Sequence, residues 1–192
     1  MNWRLLTIGL LLLSACGPRS GAEHLSPLQN RLSHLDSAAA VFSAAPHEAA
    51  IQAHRRADSA LAAIETRMQG LIVNLEQGKP FSLLDERRRL LKKQPGRERR
   101  IAQEIDRTRR QIGHLIEAIV DRANVDALGS PMDQAYFDEA TADEMRISDH
   151  LLEEMDIALD FLRRGLTDLD GLIARADSAS KALSAIPQNE MP

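Results

Sequence analysis

The chain has 192 residues, of which 44% are hydrophobic but only 3% aromatic, and its formal net charge is −4. With so few aromatic residues, the core must consist of leucine, isoleucine, alanine and methionine, which favours close-packed helices over a sheet sandwich. The small net charge indicates no particular partner, and the single cysteine excludes an intrachain disulfide framework.

The N-terminal segment has the pattern of an export signal. Arg4 precedes the apolar run 5–13, which is too short to span a bilayer because a membrane helix needs about 20 apolar residues. The run ends in Leu-Ser-Ala-Cys at residues 13–16, which resembles the lipobox of bacterial lipoproteins. Ordinary secretory cleavage after Ala15 fits less well, because Leu13 stands where such sites have a small residue.

The resemblance implies a lipid anchor at the start of the mature chain. In that class the signal peptide, here residues 1–15, is removed, and the cysteine, here Cys16, becomes an N-terminus that carries acyl chains such as palmitate. Two or more acyl chains hold a protein stably at a membrane, whereas one binds only marginally. Gly17 follows the cysteine where an aspartate would imply retention at the inner membrane. The resemblance therefore favours the periplasmic face of the outer membrane, with residues 16–24 as a lipidated tether.

A first helix is predicted from Leu25. Ser26 and Pro27 provide an N-cap and a proline at the first helical position. Apolar residues then recur in heptad steps up to Phe42, and Pro46 is expected to end or kink the helix.

Two further helices are predicted in the middle of the chain. The same spacing resumes at Ala50 and is expected to stop at Gly-Lys-Pro, residues 78–80. A capping box that starts at Ser82 predicts a short helix up to Lys93. The Gln-Pro-Gly sequence at 94–96 then predicts a sharp turn.

The C-terminal half is predicted to contain the longest helix. Before it, one helix is expected to end near Leu128 with Gly129 at its C-cap, and Ser130 is expected to start another. Beyond these, apolar and small residues keep steps of three and four for more than five heptads, which predicts a single long helix against which the others pack. The seam positions are Met145, Ser148, Leu152, Met155, Leu159, Leu162, Leu166, Leu169, Ile173, Ala176, Ser180 and Leu183, and Pro187 is expected to end the helix.

The fold prediction is therefore an all-α domain over residues 25–186. No stretch alternates with period two over enough residues for a strand. Because the connections are short, we expect an extended antiparallel helical bundle with coiled-coil-like heptad packing. Residues 187–192 are expected to be a disordered tail.

A basic block surrounds the predicted turn at 94–96. It is expected to form the tip and flanks of a helical hairpin and to contact an anionic surface, either lipid head groups or an acidic partner protein. Nucleic acid is not expected as a partner of an exported protein, and no aromatic residue for base stacking lies among these cations. The block comprises Arg87, Arg88, Arg89, Lys92, Lys93, Arg97, Arg99 and Arg100, and continues with Arg107, Arg109 and Arg110.

The alternative is that the basic block pairs internally. The region 133–160 is rich in aspartate and glutamate, so the two blocks would face each other and select which helices are neighbours. Exposed ion pairs contribute only about 0–1 kcal/mol each, so such pairing would specify the arrangement more than stabilise it.

Two histidines are candidates for a metal or haem site. His47 and His54 lie one heptad apart, and His54 falls on the apolar face of its helix. The competing interpretation, which is more common, is a partly buried or helix-end histidine. No histidine has a glutamate three residues before it, as di-iron bundles require, and we expect no cofactor.

The functional expectation is a structural or adaptor protein. There is no G-x-S-x-G elbow and no glycine-rich phosphate loop, and Cys16 is assigned to lipidation, so no enzymatic activity is expected. We expect a scaffold that binds another envelope protein, through the basic block or an uncovered part of the seam, or that self-associates. The alternatives are a helical bundle that binds an apolar ligand or a metal, and a holdase-like periplasmic chaperone.

Overall fold

A computed structural model describes residues 21–185 of the chain. In this range the regular structure is helical, with one isolated β-bridge between Val125 and Pro131, which confirms the predicted all-α helical bundle. None of the helices between residues 21 and 185 has both the length and the apolar character needed to cross a membrane. After a 3-10 helix, Ala22–His24, the helices are α1 Leu25–Ser43, α2 His47–Arg67, α3 Leu75–Lys92, α4 Gln94–Asp121, α5 Gln134–Leu166 and α6 Leu169–Ser184.

Several predicted features lie outside the described residues. These are the signal peptide 1–15, the lipobox with Cys16, the start of the tether, and the tail from Pro187 onward. They remain predictions from the sequence.

The described helices form two compact units. Among the described residues, unit 1 contains 21–38 together with Glu104–Leu152, and unit 2 contains Ala39–Gln103 together with 153–185. Three helices of the predicted domain 25–186, namely α1, α4 and α5, contribute residues to both units.

Unit 1 has an aliphatic core around one phenylalanine. Gly21 must be a glycine, because its backbone is left-handed (φ 71°) and a Cβ there would lie 2.7 Å from Cγ of Phe137. The N–H of Gly21 donates to Oε1 of Gln134 at 3.0 Å, which attaches the start of the described chain to α5. The buried core residues are Leu28, Ile112, Leu115, Ile119, Met132 and Phe137.

Unit 2 is built on small residues of α2. Ala50, Ala53 and Ala57 are completely buried and lie on one face of the helix at steps of three and four. Alanine has no long side chain to hold neighbours apart, so α3 and α6 both pack against this face. The remaining buried residues of this core are Ile64, Leu84, Leu91, Leu162, Leu169, Leu172 and Ala176.

The prediction of one unbroken seam helix is wrong, because α5 and α6 share the seam. Thr167 and Asp168 separate them, and Asp168 has a left-handed backbone with φ 53°. Aspartate is one of the few non-glycine residues that tolerates this conformation, and Oδ2 of Asp168 also accepts from Nη2 of Arg175 at 2.7 Å. The seam positions from Met145 to Leu183 are nevertheless buried or half-buried on both sides of the break. The spacing thus predicted which side chains are packed but not the break between α5 and α6.

The predicted boundary between the second and third helices is also wrong. The second helix ends at Arg67, and Gly70 takes a left-handed conformation (φ 82°) in the loop that follows. The third helix starts earlier than predicted because Asn74 and Gln77 form a capping box. Each side-chain oxygen accepts from the other residue's backbone N–H at 3.0 Å.

Pro80 lies inside α3 instead of ending the preceding helix. Pro80 is the sixth residue of α3. Because proline has no backbone N–H, it cannot donate the helical hydrogen bond to the carbonyl of Glu76. The predicted cap at Ser82 does not form, because Ser82 lies within the helix and the carboxylate of Asp85 accepts from Arg88 instead.

The predicted end of the fourth helix near Leu128 is wrong as well. α4 ends at Asp121 because Arg122 turns into a left-handed conformation with φ 56°. The N–H of Ala123 then donates to the carbonyl of Ala118 at 2.9 Å, which closes the helix in the manner of a Schellman motif.

The connection from α4 to α5 is a structured loop. Oδ1 of Asp126 accepts from the backbone N–H groups of Leu128 and Ser130, both at 2.8 Å. Gly129, predicted as a C-cap, is instead the left-handed residue of this turn (φ 84°). Asp133, not Ser130, caps α5, since its Oδ1 accepts from the backbone N–H three residues later at 3.0 Å.

Replacement of Gly165 by alanine should destabilise the protein. Gly165 is buried on α5, and a Cβ there would lie 2.6 Å from Cδ2 of the fully buried Leu91. Overpacking of this kind costs about 1–3 kcal/mol, more than the roughly 0.5–1 kcal/mol gained when alanine replaces glycine within a helix.

The matched control is Gly113→Ala on α4, where a Cβ would meet nothing within 4 Å. This variant should raise the free energy of unfolding by about 0.5–1 kcal/mol. Urea unfolding followed by circular dichroism measures both changes. Equal stabilisation by the two substitutions would contradict the packing described for unit 2.

Candidate interaction surface

The basic block lies where α3 ends and α4 begins. The predicted sharp turn at 94–96 is instead the first turn of α4, because Lys93 alone separates the two helices. Lys93 has a near-helical conformation (φ −88°, ψ −8°), and its carbonyl accepts from the N–H of Arg97 at 3.1 Å. Pro95 is compatible with the first helical turn, where backbone N–H groups have no helical partner.

One side of this junction packs against α5. The buried Gln94 donates from Nε2 to the carbonyl of Ala158 at 3.2 Å. The guanidinium carbon of Arg97 lies 4.4 Å from the centre of the Phe161 ring, a cation–π geometry. Burial, assisted by the positive charge of Arg100, lowers the pKa of Arg97. Gln94 therefore belongs to the interior of unit 2, and the half-buried Arg97 is in contact with Phe161.

A second group of arginines is held by carboxylates. Arg88 joins α3 to α2, because it donates from Nη2 to Asp85 at 2.6 Å and from Nη1 to Asp58 at 3.1 Å. Arg89 also pairs with Asp85, at 2.6 Å. The hydrogen bond from Arg88 is the main reason that the pKa of Asp85 is lowered.

Two more members of the block have acidic neighbours. Nη1 of Arg100 lies 3.0 Å from Oε1 of Glu154 on α5, a pair between the basic block and the acidic region of the kind that internal pairing requires. Nη1 of Arg87 lies 3.6 Å from Glu86. Farther along α4, Arg109 of unit 1 pairs with Asp36 of α1 at 2.6 Å.

Three exposed cations of the block have no partner. Lys92, Lys93 and Arg99 have no ion-pair or hydrogen-bond partner for their side chains among residues 21–185. They lie within eight consecutive residues: Lys92 ends α3, Lys93 separates the two helices, and Arg99 lies in the second turn of α4. We call these three residues the unpaired patch. Three of the eight predicted cations are thus exposed and unpaired, while Arg89 and Arg100 are exposed but paired.

The sequence contains a signal for the division of the basic block into packed and exposed residues. The buried residues Ile101 and Ile105 of α4 continue backward by one heptad to Gln94, so Gln94 could have been assigned to the packed face. Arg97 lies three residues after Gln94, on the same face, whereas Arg99 falls off this stripe.

The two candidate histidines have different surroundings in unit 2. His47 is buried, donates from Nε2 to the carbonyl of Phe42 at 2.8 Å, and has its Nδ1 3.8 Å from Glu98. Nε2 of His54 is buried and has no hydrogen-bond partner within the described part of the chain. No group of three potential metal ligands that includes either histidine occurs in that part.

A group with suitable ligand spacing occurs in unit 1. Glu23, His24 and Asp138 each offer one ligand atom within 4.8 Å of the others. However, Nε2 of His24 lies 2.8 Å from Oδ1 of Asp138, and the amide of Gln134 donates to both carboxylates. These hydrogen bonds, that from His24 first, lower the pKa of Asp138. The carboxylates already have donors, so the cluster serves to attach the 3-10 helix to α5.

Comparisons with protein-family models, curated proteins and solved structures found no match to this chain.

A double-mutant cycle should detect the contact between Arg97 and Phe161. The cycle compares Arg97→Met, Phe161→Leu and the variant that carries both substitutions. The coupling between the two substitutions in the free energy of unfolding should be about 0.5–2 kcal/mol, the range of a partly desolvated cation–π pair. Urea unfolding measures each variant.

The control cycle replaces Arg97→Met by Arg99→Met, on the same helix but facing solvent. Here the coupling with Phe161→Leu should be close to zero. Similar coupling in both cycles would contradict the division of the block into packed and exposed faces.

Proposed function

We propose that the protein is a lipid-anchored scaffold of the cell envelope that binds an acidic partner protein through the unpaired patch. The anchor is Cys16, which the lipobox at residues 13–16 supports. The observation that carries the partner hypothesis is that Lys92, Lys93 and Arg99 are exposed and unpaired next to arginines that are paired or packed.

The chemistry of the patch suits a protein with carboxylates on its surface. Exposed, hydrated cations at the edge of an interface mainly accelerate association and select partners by charge. Such contacts weaken as salt concentration rises, because exposed charges are screened over about 8 Å at physiological ionic strength. No aromatic side chain lies between Arg87 and Arg100, so base stacking on this surface has no support.

The anchor limits where the partner can be. A lipidated protein stays at the membrane, since two or more buried acyl chains make its dissociation slow. The partner is therefore another envelope protein, and the helical region acts as an adaptor that holds it near the membrane.

Cys16→Ser should release the protein from the membrane fraction. Without the thiol no acyl chain can be attached, and the described helices offer no segment able to cross a bilayer. Fractionation of cells, together with incorporation of labelled palmitate, measures the change. If the variant remains in the membrane fraction and the native chain takes up no label, the anchor hypothesis is wrong.

Neutralisation of the patch should reduce partner binding. The variant Lys92→Gln, Lys93→Gln, Arg99→Gln should lose about tenfold or more in affinity, since three exposed charge contacts contribute roughly 0.5 kcal/mol each. Crosslinking in intact cells, followed by copurification of the lipidated chain, measures the yield of the crosslinked partner.

The control variant removes the same number of charges from unit 1. This variant should leave the yield of the crosslinked partner unchanged, because a local surface, not net charge, contacts the partner. The proposal fails if both variants lose the partner equally or if the native chain captures none. The control substitutions are Arg110→Gln, Arg122→Gln and Arg146→Gln.

A further inference from the structure

The loop between α4 and α5 in unit 1, residues 122–133, exposes apolar side chains. Leu128 is 91% exposed and Val125 53% exposed, and Val120 in the last turn of α4 is 51% exposed. Within the described ranges of unit 1, 21–38 and 104–152, no other large hydrophobic side chain is exposed. Isolated apolar residues on a surface need no explanation, whereas a group of them marks a contact site.

Hydrogen bonds within the loop hold Leu128 at its tip. The N–H of Asp126 donates to the carbonyl of Ser130, and the N–H of Met132 donates to the carbonyl of Asn124, both at 2.9 Å. The buried Met132 joins the base of the loop to the core of unit 1. A hydrogen-bonded turn on a packed base therefore presents the exposed leucine.

The tip of the loop carries a single charge. Asp126 is the only charged residue between 123 and 132, and its Oδ1 accepts from the backbone N–H groups of Leu128 and Ser130. A backbone N–H that loses its water on contact with an apolar phase is costly unless it has another acceptor. Two N–H groups of the tip already have one.

The proposed lipid anchor holds this end of unit 1 close to the membrane. Five residues of chain lead from Cys16 to Gly21, and that length spans about 18 Å at most. Gly21 is attached where the loop ends, since its N–H donates to Gln134, the first residue of α5. Such a short connection gives lipid a high effective concentration around the loop.

We propose that Val125 and Leu128 enter the surface of the lipid bilayer to which Cys16 is attached. This inference rests on the lipid anchor of the proposed function. Transfer of one exposed leucine side chain into an apolar phase favours the bound state by about tenfold or more. That is too little to bind a free chain to a membrane, but it is enough to turn the loop of an anchored unit 1 toward the bilayer. The contact uses no residue of the unpaired patch.

The test introduces a tryptophan at the tip of the loop. Trp3 is the only tryptophan in the sequence and belongs to the predicted signal peptide, so Leu128→Trp gives the lipidated chain one fluorophore. The control is Ser37→Trp, at an exposed position on α1 that lies about 18 Å along the helix from Leu25. Each lipidated variant is incorporated into phosphatidylcholine vesicles with and without bromine atoms on the acyl chains, which quench tryptophan at short range.

The Leu128→Trp variant should emit at shorter wavelength than the control and lose most of its emission in brominated vesicles. The Ser37→Trp variant should lose little. Equal quenching of the two variants would overturn the proposal. Emission at short wavelength from Leu128→Trp that bromine does not quench would also overturn it, because protein, such as a second copy of the chain, would then cover the loop.

The intact mass of each variant separates this inference from the anchor on which it rests. If the chain carries acyl groups at Cys16 and Leu128→Trp is not quenched, the bilayer contact is wrong and the anchor stands. If the chain carries no acyl groups, the anchor and the bilayer contact are both wrong.

A second pair of variants tests whether the native leucine, not the introduced tryptophan, enters the bilayer. Val125→Trp should be quenched in the brominated vesicles. Addition of Leu128→Asp should reverse most of this quenching, because a carboxylate at the exposed tip resists transfer out of water. Unchanged quenching after this addition would show that Leu128 makes no contact with lipid and would overturn the proposal.

Discussion

Close approach of helices through small residues is the constraint on which both units depend. The chain has too few aromatic residues to fill wide interhelical gaps, so backbones must come near each other for aliphatic side chains to interdigitate. In unit 2, the fully buried Ala50, Ala53 and Ala57 allow this approach, and Gly165 makes room for Leu91. In unit 1, Gly21 lets the backbone just before the 3-10 helix lie against Phe137 of α5. Interiors packed this closely transmit the effect of a single added methyl group to the neighbouring helix.

The sequence predicted which faces are packed better than where helices begin and end. Leu162, Leu169 and Ala176 are buried as the heptad spacing predicted, because apolar periodicity follows directly from the need to bury one side of a helix. The break at Asp168 leaves that periodicity intact, so spacing could not reveal it. Helix starts were harder to predict because the sequence offers competing caps. The capping box at Asn74 forms, whereas Ser82 lies within α3 and cannot act as an N-cap.

The basic block shows how charge in a sequence differs from charge on a surface. The sequence left two interpretations of the block open, internal pairing and an external partner, and the structure shows that some of its cations pair internally. Arg88 and Arg100 are paired with carboxylates, while Lys93 and Arg99 face solvent.

Net charge is a poor guide to partner choice for a chain of this kind. The formal charge of −4 would suggest repulsion of an acidic protein, yet at physiological ionic strength a partner senses mainly charges within about 8 Å. Over that distance around the α3–α4 junction, what matters is whether each cation already has a counter-ion. A paired arginine presents little net field, and its carboxylate partner would have to be displaced before a new contact forms. Lys92, Lys93 and Arg99 need no such displacement, so this small group can attract carboxylates although the whole chain is acidic.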